Sequence, residues 1–231
     1  MGKPKKTIKS SKAMATAMAG LQRRPAIHDP RARFTIVAEG SVTEVEYFDF
    51  LADHFREALV DIKVVGGKGS PRQIVDESIR LRDAVTAAAA KGHATIADSD
   101  QYWALFDRDD FPQYLEAINF GRAARISVGY SNPCFELWLL LHYADYDRPC
   151  KSADLYREVQ KHCRTYSQKN KRVPVADIFP NVALAIRRAE RQLQARVEER
   201  KEFEAPSTSV GKLVAAIVAA GRPANVQRAR R

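Results

Sequence analysis

The run Trp103-Ala104-Leu105-Phe106-Asp107-Arg108-Asp109-Asp110 places three carboxylates directly after a hydrophobic stretch. Packed like charges repel and raise one another's pKa, so such a cluster needs water, a cation or a basic neighbour beside it. Acids at strand ends are common and are mostly solvated, so a D-x-D alone says little. Asp107 and Asp109, however, alternate on an extended backbone, which aims both carboxylates to one side. Glu39, closing the apolar run Phe34–Ala38 just before Gly40, is expected at the end of a neighbouring strand on the same sheet edge. Oxygen ligands that converge without Cys or His suit Mg²⁺ or Mn²⁺ rather than zinc. A cation there polarises a phosphodiester and helps generate hydroxide for in-line attack.

Other residues carry two readings each. Glu44, five residues after Glu39, is either a further ligand or an acid favoured by the dipole at a helix start. Glu136 interrupts a very apolar segment, where it either faces the Asp cluster through a cation or is an ordinary N-terminal helix charge. Asn132 orients a ligand or, more in keeping with its type, caps the following helix. Lys68 in Gly-Gly-Lys-Gly-Ser-Pro could meet a scissile phosphate, since glycines allow close backbone approach. The loop lacks the spacing of an ATP-binding P-loop. His142 and His162 are read as packed or surface residues, and Trp103, Phe106 and Trp138 as core.

These side chains must be positioned by a folded body, and 231 residues with a 45% hydrophobic share suffice for one substantial core. Apolar stretches such as Leu213–Ala220 are too short to span a bilayer, and the basic start lacks a strong apolar signal segment, so a soluble cytoplasmic protein is expected. Three cysteines without a C-x-x-C indicate reduced thiols. The net charge of +10 is uneven. Residues 1–33 hold nine Lys or Arg against Asp29, and residues 205–231 hold five with no acid, which leaves the middle slightly acidic. Basic ends around an acidic body suit a nucleic-acid binder, or are simply solvated tails. Residues 151–172 carry seven Lys or Arg against Asp154 and Glu158, which makes Lys161, Arg164, Lys169, Lys171 and Arg172 the internal candidates for phosphate contact.

The pattern alternates strand and helix. Phe34–Ala38 reads as a strand, followed by a helix capped by Ser41 or Thr43; Val60–Val65 as a second strand, before a long helix over Pro71–Lys91. Gln101–Asp107 and the segment 125–133 read as strands three and four, separated by a crossover helix. Such alternation indicates a mostly parallel sheet, with binding sites beyond the carboxyl ends of the strands. From Asn132 onward the pattern is helical, including a long exposed helix over 181–204 and a last one opened by the Ser/Thr run at 207–209 and closed by Gly221. The expected organisation is a basic arm over 1–33, an α/β core over 34–145 and a helical extension over 146–231. The amphipathic stretch 181–204 and the Ala-rich last helix could support a homo-oligomer.

An acid-glycine pair ending one strand and a D-x-D ending a later one resembles Toprim domains, found in topoisomerases, primases and nucleases of the OLD type. More narrowly, the segments 37–51 (VAEGSVTEVEYFDFL), 106–110 (FDRDD), 131–143 (SNPCFELWLLLHY) and 206–214 (PSTSVGKLV) are similar to the RloB family, Toprim-like proteins associated with abortive infection and restriction loci. The similarity spans most of residues 34–215. It implies a Toprim-like, Rossmann-like sheet flanked by helices with a helical C-terminal part. It further implies an endonuclease using Mg²⁺ or Mn²⁺, with Glu39 as acid/base or ligand and Asp107 and Asp109 as ligands, and it favours a site role for Glu136. An ATPase partner of AAA or ABC type follows from the same likeness. Two other readings stand beside it: a haloacid-dehalogenase-like phosphatase with Asp107 as nucleophile, and a nucleic-acid-binding or sensor subunit without catalysis. Against the phosphatase, Asp110-Phe111 follows the D-x-D where a Thr or Gly would be expected.

Overall fold

The computed structural model describes residues 32–58, 60–67, 69–108 and 111–222. Lys68, Asp109, Asp110 and the arm up to residue 31 therefore lie outside the described residues.

Five strands form one sheet in the order β2-β1-β3-β4-β5. β1 (Ala32–Ala38), β2 (Val60–Val65), β3 (Gln101–Asp107) and β4 (Ser127–Asn132) are parallel to their neighbours. β5 (Ser207–Thr208) runs antiparallel to β4. Between them run α1 (Thr43–Phe55), α2 (Pro71–Ala90) and α3 (Tyr114–Ala123), and after β4 come α4 (Glu136–Tyr143), α5 (Ser152–His162), α6 (Val175–Ile178), α7 (Val182–Glu198) and α8 (Val210–Ala220). The α/β class expected from the alternating pattern is the observed one, a mostly parallel sheet flanked by helices.

Side chains alternate between the two faces of a strand, and here each set finds its own core. Ile36 and Ala38 of β1 and Trp103 and Leu105 of β3 pack with α1, α4 and the later helices, through Tyr47, Leu51, Trp138, Leu155 and Leu213. Val37, Ala104 and Phe106 face the opposite way onto Ile74 and Val75 of α2 and Ile118 of α3. Near-continuous hydrophobic strands are what a sheet covered on both faces requires. The C-terminal helices thus share a core cluster with the sheet: α7 turns Ala185 and Ala189 inward, and α8 buries Val210, Leu213, Val214 and Ile217.

Several local readings are corrected. Neither Ser41 nor Thr43 caps α1; Val42 precedes it without a side-chain cap, and Thr43 Oγ1 instead donates to Lys171 O at 2.9 Å. Ser207 and Thr208 form β5, where Ser131 Oγ and Thr208 Oγ1 meet at 3.1 Å; Ser209 stands at the N-cap of the last helix without a side-chain cap bond, and Thr208 Oγ1 accepts the Val210 N–H at 3.3 Å. Asn132 does not cap α4, because its Nδ2 donates to Phe203 O at 2.7 Å. Tyr114 and Tyr130 hydroxyls also donate to carbonyls of Phe203 and Glu202, so this stretch is drawn onto the sheet edge and α7 ends at Glu198, short of Glu204. β1 begins at Ala32, two residues before Phe34.

Candidate functional site

In the strand order β2-β1-β3, the chain leaves β1 to one side for β2 and returns on the other side for β3. A crevice therefore opens between the carboxyl ends of β1 and β3, the usual ligand position in open α/β sheets. Glu39 follows β1 and Asp107 ends β3 at this crevice. The Glu39 N–H continues the ladder to Leu105 O at 3.0 Å, and the Asp107 N–H donates to Glu39 Oε2 at 3.1 Å. Asp107 Oδ2 in turn accepts the Phe135 N–H at 3.1 Å, at the start of α4. Each carboxylate is thereby oriented by a backbone amide.

These two acids line a cavity of about 280 Å³ together with Glu44, Phe135, Glu136 and Lys171. Glu44 and Glu136 are buried, 7% and 2% exposed. Glu136 Oε1 accepts the Tyr166 hydroxyl at 2.8 Å and lies 4.0 Å from Lys171 Nζ. Lys171 arrives from the loop after α5 at φ 50°, and its Nζ sits 5.3 Å from the centroid of the Tyr156 ring. The Thr43 hydroxyl on the Lys171 carbonyl ties that loop to α1.

Glycine allows close approaches beside the acids. A Cβ on Gly40 would stand 2.0 Å from Glu44 Oε2, so the Glu44 carboxylate folds into the space that only glycine leaves. A Cβ on Gly66 would meet Gly40 O at 2.6 Å, so the loops after β1 and β2 touch backbone to backbone. The Gly67 N–H bonds Glu39 O at 3.1 Å across that contact.

Burial raises the Glu44 carboxyl above the usual range and the Glu136 charge adds to this, while its own and the Gly40 amide and Lys171 pull it down. Burial, then the charges of Glu136 and Asp107, push the Cys134 thiol well up, so it stays protonated and inert. Cys134, Cys150 and Cys163 are all free thiols.

The structure thus brings Glu39, Asp107, Glu44, Glu136 and Lys171 together. Lys68 and Asp109 fall outside the described residues. Of the five expected phosphate contacts, Lys171 alone lines the cavity. Lys161 donates to Glu158 at 2.9 Å and Arg172 pairs with Glu46 at 3.0 Å, both on the surface, and Arg164 and Lys169 are exposed. His142 is buried under Tyr47 and Trp138, and His162 stacks on Tyr143. Tyr166 had no sequence signal; it lies 30 positions from Glu136 and meets it only through folding. Among the described residues no group of three His, Cys, Asp or Glu side chains stands close enough to hold a metal ion. None of the described helices is long and apolar enough to cross a membrane.

No curated protein and no solved structure matches this chain. Residues 34–217 match the family model described as RloB-like protein. That span takes in β3, α4, most of β1 and all the residues of the carboxylate cavity, and the chain belongs to the RloB-like family.

Proposed function

We propose that the chain is a metal-dependent nuclease that hydrolyses phosphodiester bonds of DNA or RNA. The observation that carries this reading is the pairing of Glu39 and Asp107 across adjacent parallel strands, opening into a cavity with Glu44, Glu136 and Lys171. The donor set fits Mg²⁺ or Mn²⁺: the described residues that line the cavity include four carboxylates and no His or Cys. Mg²⁺ keeps several waters and takes one or two protein carboxylates beside substrate phosphate oxygens, so a closed protein cage of three ligands is not required. Glu39 and Asp107 would hold the ion, Asp109 being the further ligand expected from the D-x-D. Bound there, a cation supplies charge stabilisation and a more acidic water.

The protein's own groups do the rest. The amides of Asp107 and Phe135 fix the two ligand carboxylates. Glu44 holds its proton above the usual carboxylate range, which suits it to protonate the leaving oxygen. Lys171 offsets the acids and faces a phosphate oxygen. The basic termini, with Lys161, Arg164, Lys169 and Arg172, attract the polyanion. A place in antiviral abortive infection, alongside an ATPase of AAA or ABC type, is part of this proposal and rests on the resemblance to RloB-like proteins alone.

The test is cleavage of labelled DNA and RNA by the purified chain, alone and with the partner ATPase, in Mg²⁺, Mn²⁺ or chelator. Metal-dependent cleavage that disappears in Glu39→Gln and Asp107→Asn is the expected result. Binding without cleavage under every condition would leave a recognition subunit. Hydrolysis of a small phosphomonoester that survives Glu39→Ala would point to the phosphatase chemistry instead.

A further inference from the structure

Beside the carboxylate cavity lies a larger cleft of about 520 Å³, lined among others by Arg108, Asn132, Lys151, Ser152 and Tyr156. Its charge is the reverse of its neighbour's. Among the described residues that line it are Arg108 and Lys151 and no acid, whereas four carboxylates face Lys171 in the first cavity. The two share a wall. Asp107 and Arg108 are consecutive residues that open into one and the other, and Tyr156 lines the cleft while its ring carries Lys171 Nζ at 5.3 Å on the cavity side.

The cleft is rigidly framed. The Arg108 N–H extends the β3–β4 ladder to Ser131 O at 2.9 Å, and the Lys151 N–H is held by Asp154 Oδ2 at 2.9 Å. The Arg108 guanidinium lies 5.7 Å from the Tyr114 ring, a distant contact, and among the described residues no side chain is shown to take its fork of donors.

A phosphodiester whose scissile group sits among four carboxylates has flanking phosphates that the same acids repel. The next phosphate needs cations close by, and Arg108 and Lys151 are cations lining the adjoining cleft. Arg matches phosphate oxygens with two parallel hydrogen bonds, and an aromatic face accepts any base by stacking. Bases in a duplex are already stacked on one another and cannot offer a face to Tyr156. We infer that this cleft is a subsite for a single-stranded nucleic-acid segment next to the scissile phosphate, with the phosphate on Arg108 and Lys151 and the base on Tyr156. The inference rests on the nuclease reading of the adjacent cavity and specifies its substrate as unpaired.

The experiment measures fluorescence anisotropy of labelled oligothymidylate, oligouridylate and a duplex of equal length on the full chain, in chelator so that nothing is cut. Single strands are expected to bind more tightly than the duplex. Tyr156→Leu, which keeps apolar packing, and Tyr156→Ala are expected to weaken single-strand binding about tenfold, with Tyr156→Phe close to wild type. Arg108→Gln and Lys151→Gln should each flatten the slope of log affinity against log salt by about 0.7. Unfolding midpoints of the Tyr156 variants separate a folding defect from lost stacking. Equal affinity for duplex and single strand, a neutral Tyr156→Leu, or no binding at all overturns the subsite. Because binding is read without turnover, a chain that binds in this way but never cleaves defeats the nuclease reading alone; a cleaving enzyme with a neutral Tyr156→Leu defeats the subsite alone. The more tightly bound of the two strands names DNA or RNA.

Discussion

The carboxylate of Asp107 accepts the Phe135 N–H at 3.1 Å, so the last residue of β3 tethers the start of α4 to the sheet. The same residue donates its own N–H to Glu39 Oε2. The acids proposed to do chemistry are therefore also part of the folded framework, and their substitutions report on both.

Asp107→Asn keeps an oxygen acceptor for the Phe135 amide, whereas Asp107→Ala leaves that amide without it. Asp107→Ala is expected to cost about 1–2 kcal/mol, the range of a lost helix cap, and Asp107→Asn well under that. Urea unfolding reads the difference, and cleavage should be absent in both. Equal destabilisation would show that the carboxylate does not secure α4.

Gly40→Ala forces a methyl group into the Glu44 carboxylate. The atoms met are the far end of a flexible side chain, so the cost falls at the low end of the about 1–3 kcal/mol of overpacking, and removal of the acid in Gly40→Ala/Glu44→Ala should return most of it. A double-mutant cycle by denaturant unfolding gives the coupling; strictly additive single effects would refute the close approach.

Stability should fall in acid through His142. Its ring contacts Trp138 O at 3.0 Å through Nδ1 and the Tyr47 hydroxyl at 3.2 Å through Nε2. Burial, with Arg188 nearby, lowers its pKa to about 4 from 6.5. The unfolded chain takes up the proton first as pH falls, so this contribution is complete above the unfolded value and is lost between there and the folded one. The loss is on the order of 3 kcal/mol for a shift of this size. Unfolding curves from neutral pH downward should show the slope, and His142→Phe should remove it.

Lys171→Met removes the cation beside two buried acids. The Glu44 carboxyl should rise further, since burial and Glu136 then act with less opposition. A raised carboxyl contributes stability below its unfolded pKa and loses it as pH rises through the folded value, so the variant should be weakened at neutral pH and recover on acidification, opposite in sign to His142. The effect is about 1 kcal/mol or less, because the Lys171 side chain is 44% exposed and water screens it. Stability of Lys171→Met measured across the carboxylate range checks the sign.

The elements that hold the site were largely legible in the chain. β2 at Val60–Val65 and β3 at Gln101–Asp107 have the bounds expected from their apolar runs, and α2 ends within one residue of the expected Lys91. Short-range pattern suffices there, because a strand buried on both faces and a long amphipathic helix each declare themselves within a few residues. With strands and helices alternating, parallel pairing follows, and it carries Glu39 and Asp107 to one edge of the sheet.

Other features depended on partners far away in sequence. Ser207 and Thr208 look like a helix cap, and Thr208 Oγ1 does accept the Val210 N–H, yet the free edge of β4 also offers backbone groups that must be paired, and these residues pair them. Asn132 looks like a cap too, but the Phe203 carbonyl claims its amide from 71 positions away. Lys171 belongs to a run of similar basic residues, and only tertiary contacts single it out: the bond from Thr43 to its carbonyl, 128 positions apart, and its Nζ 4.0 Å from Glu136. By itself the sequence determined which segments become strands and helices and which acids reach the strand ends, since both are set by local periodicity and chain direction. The tertiary structure alone decided which cation, hydroxyl and amide meet those acids, because such contacts rest on the packing of segments that share no local signal.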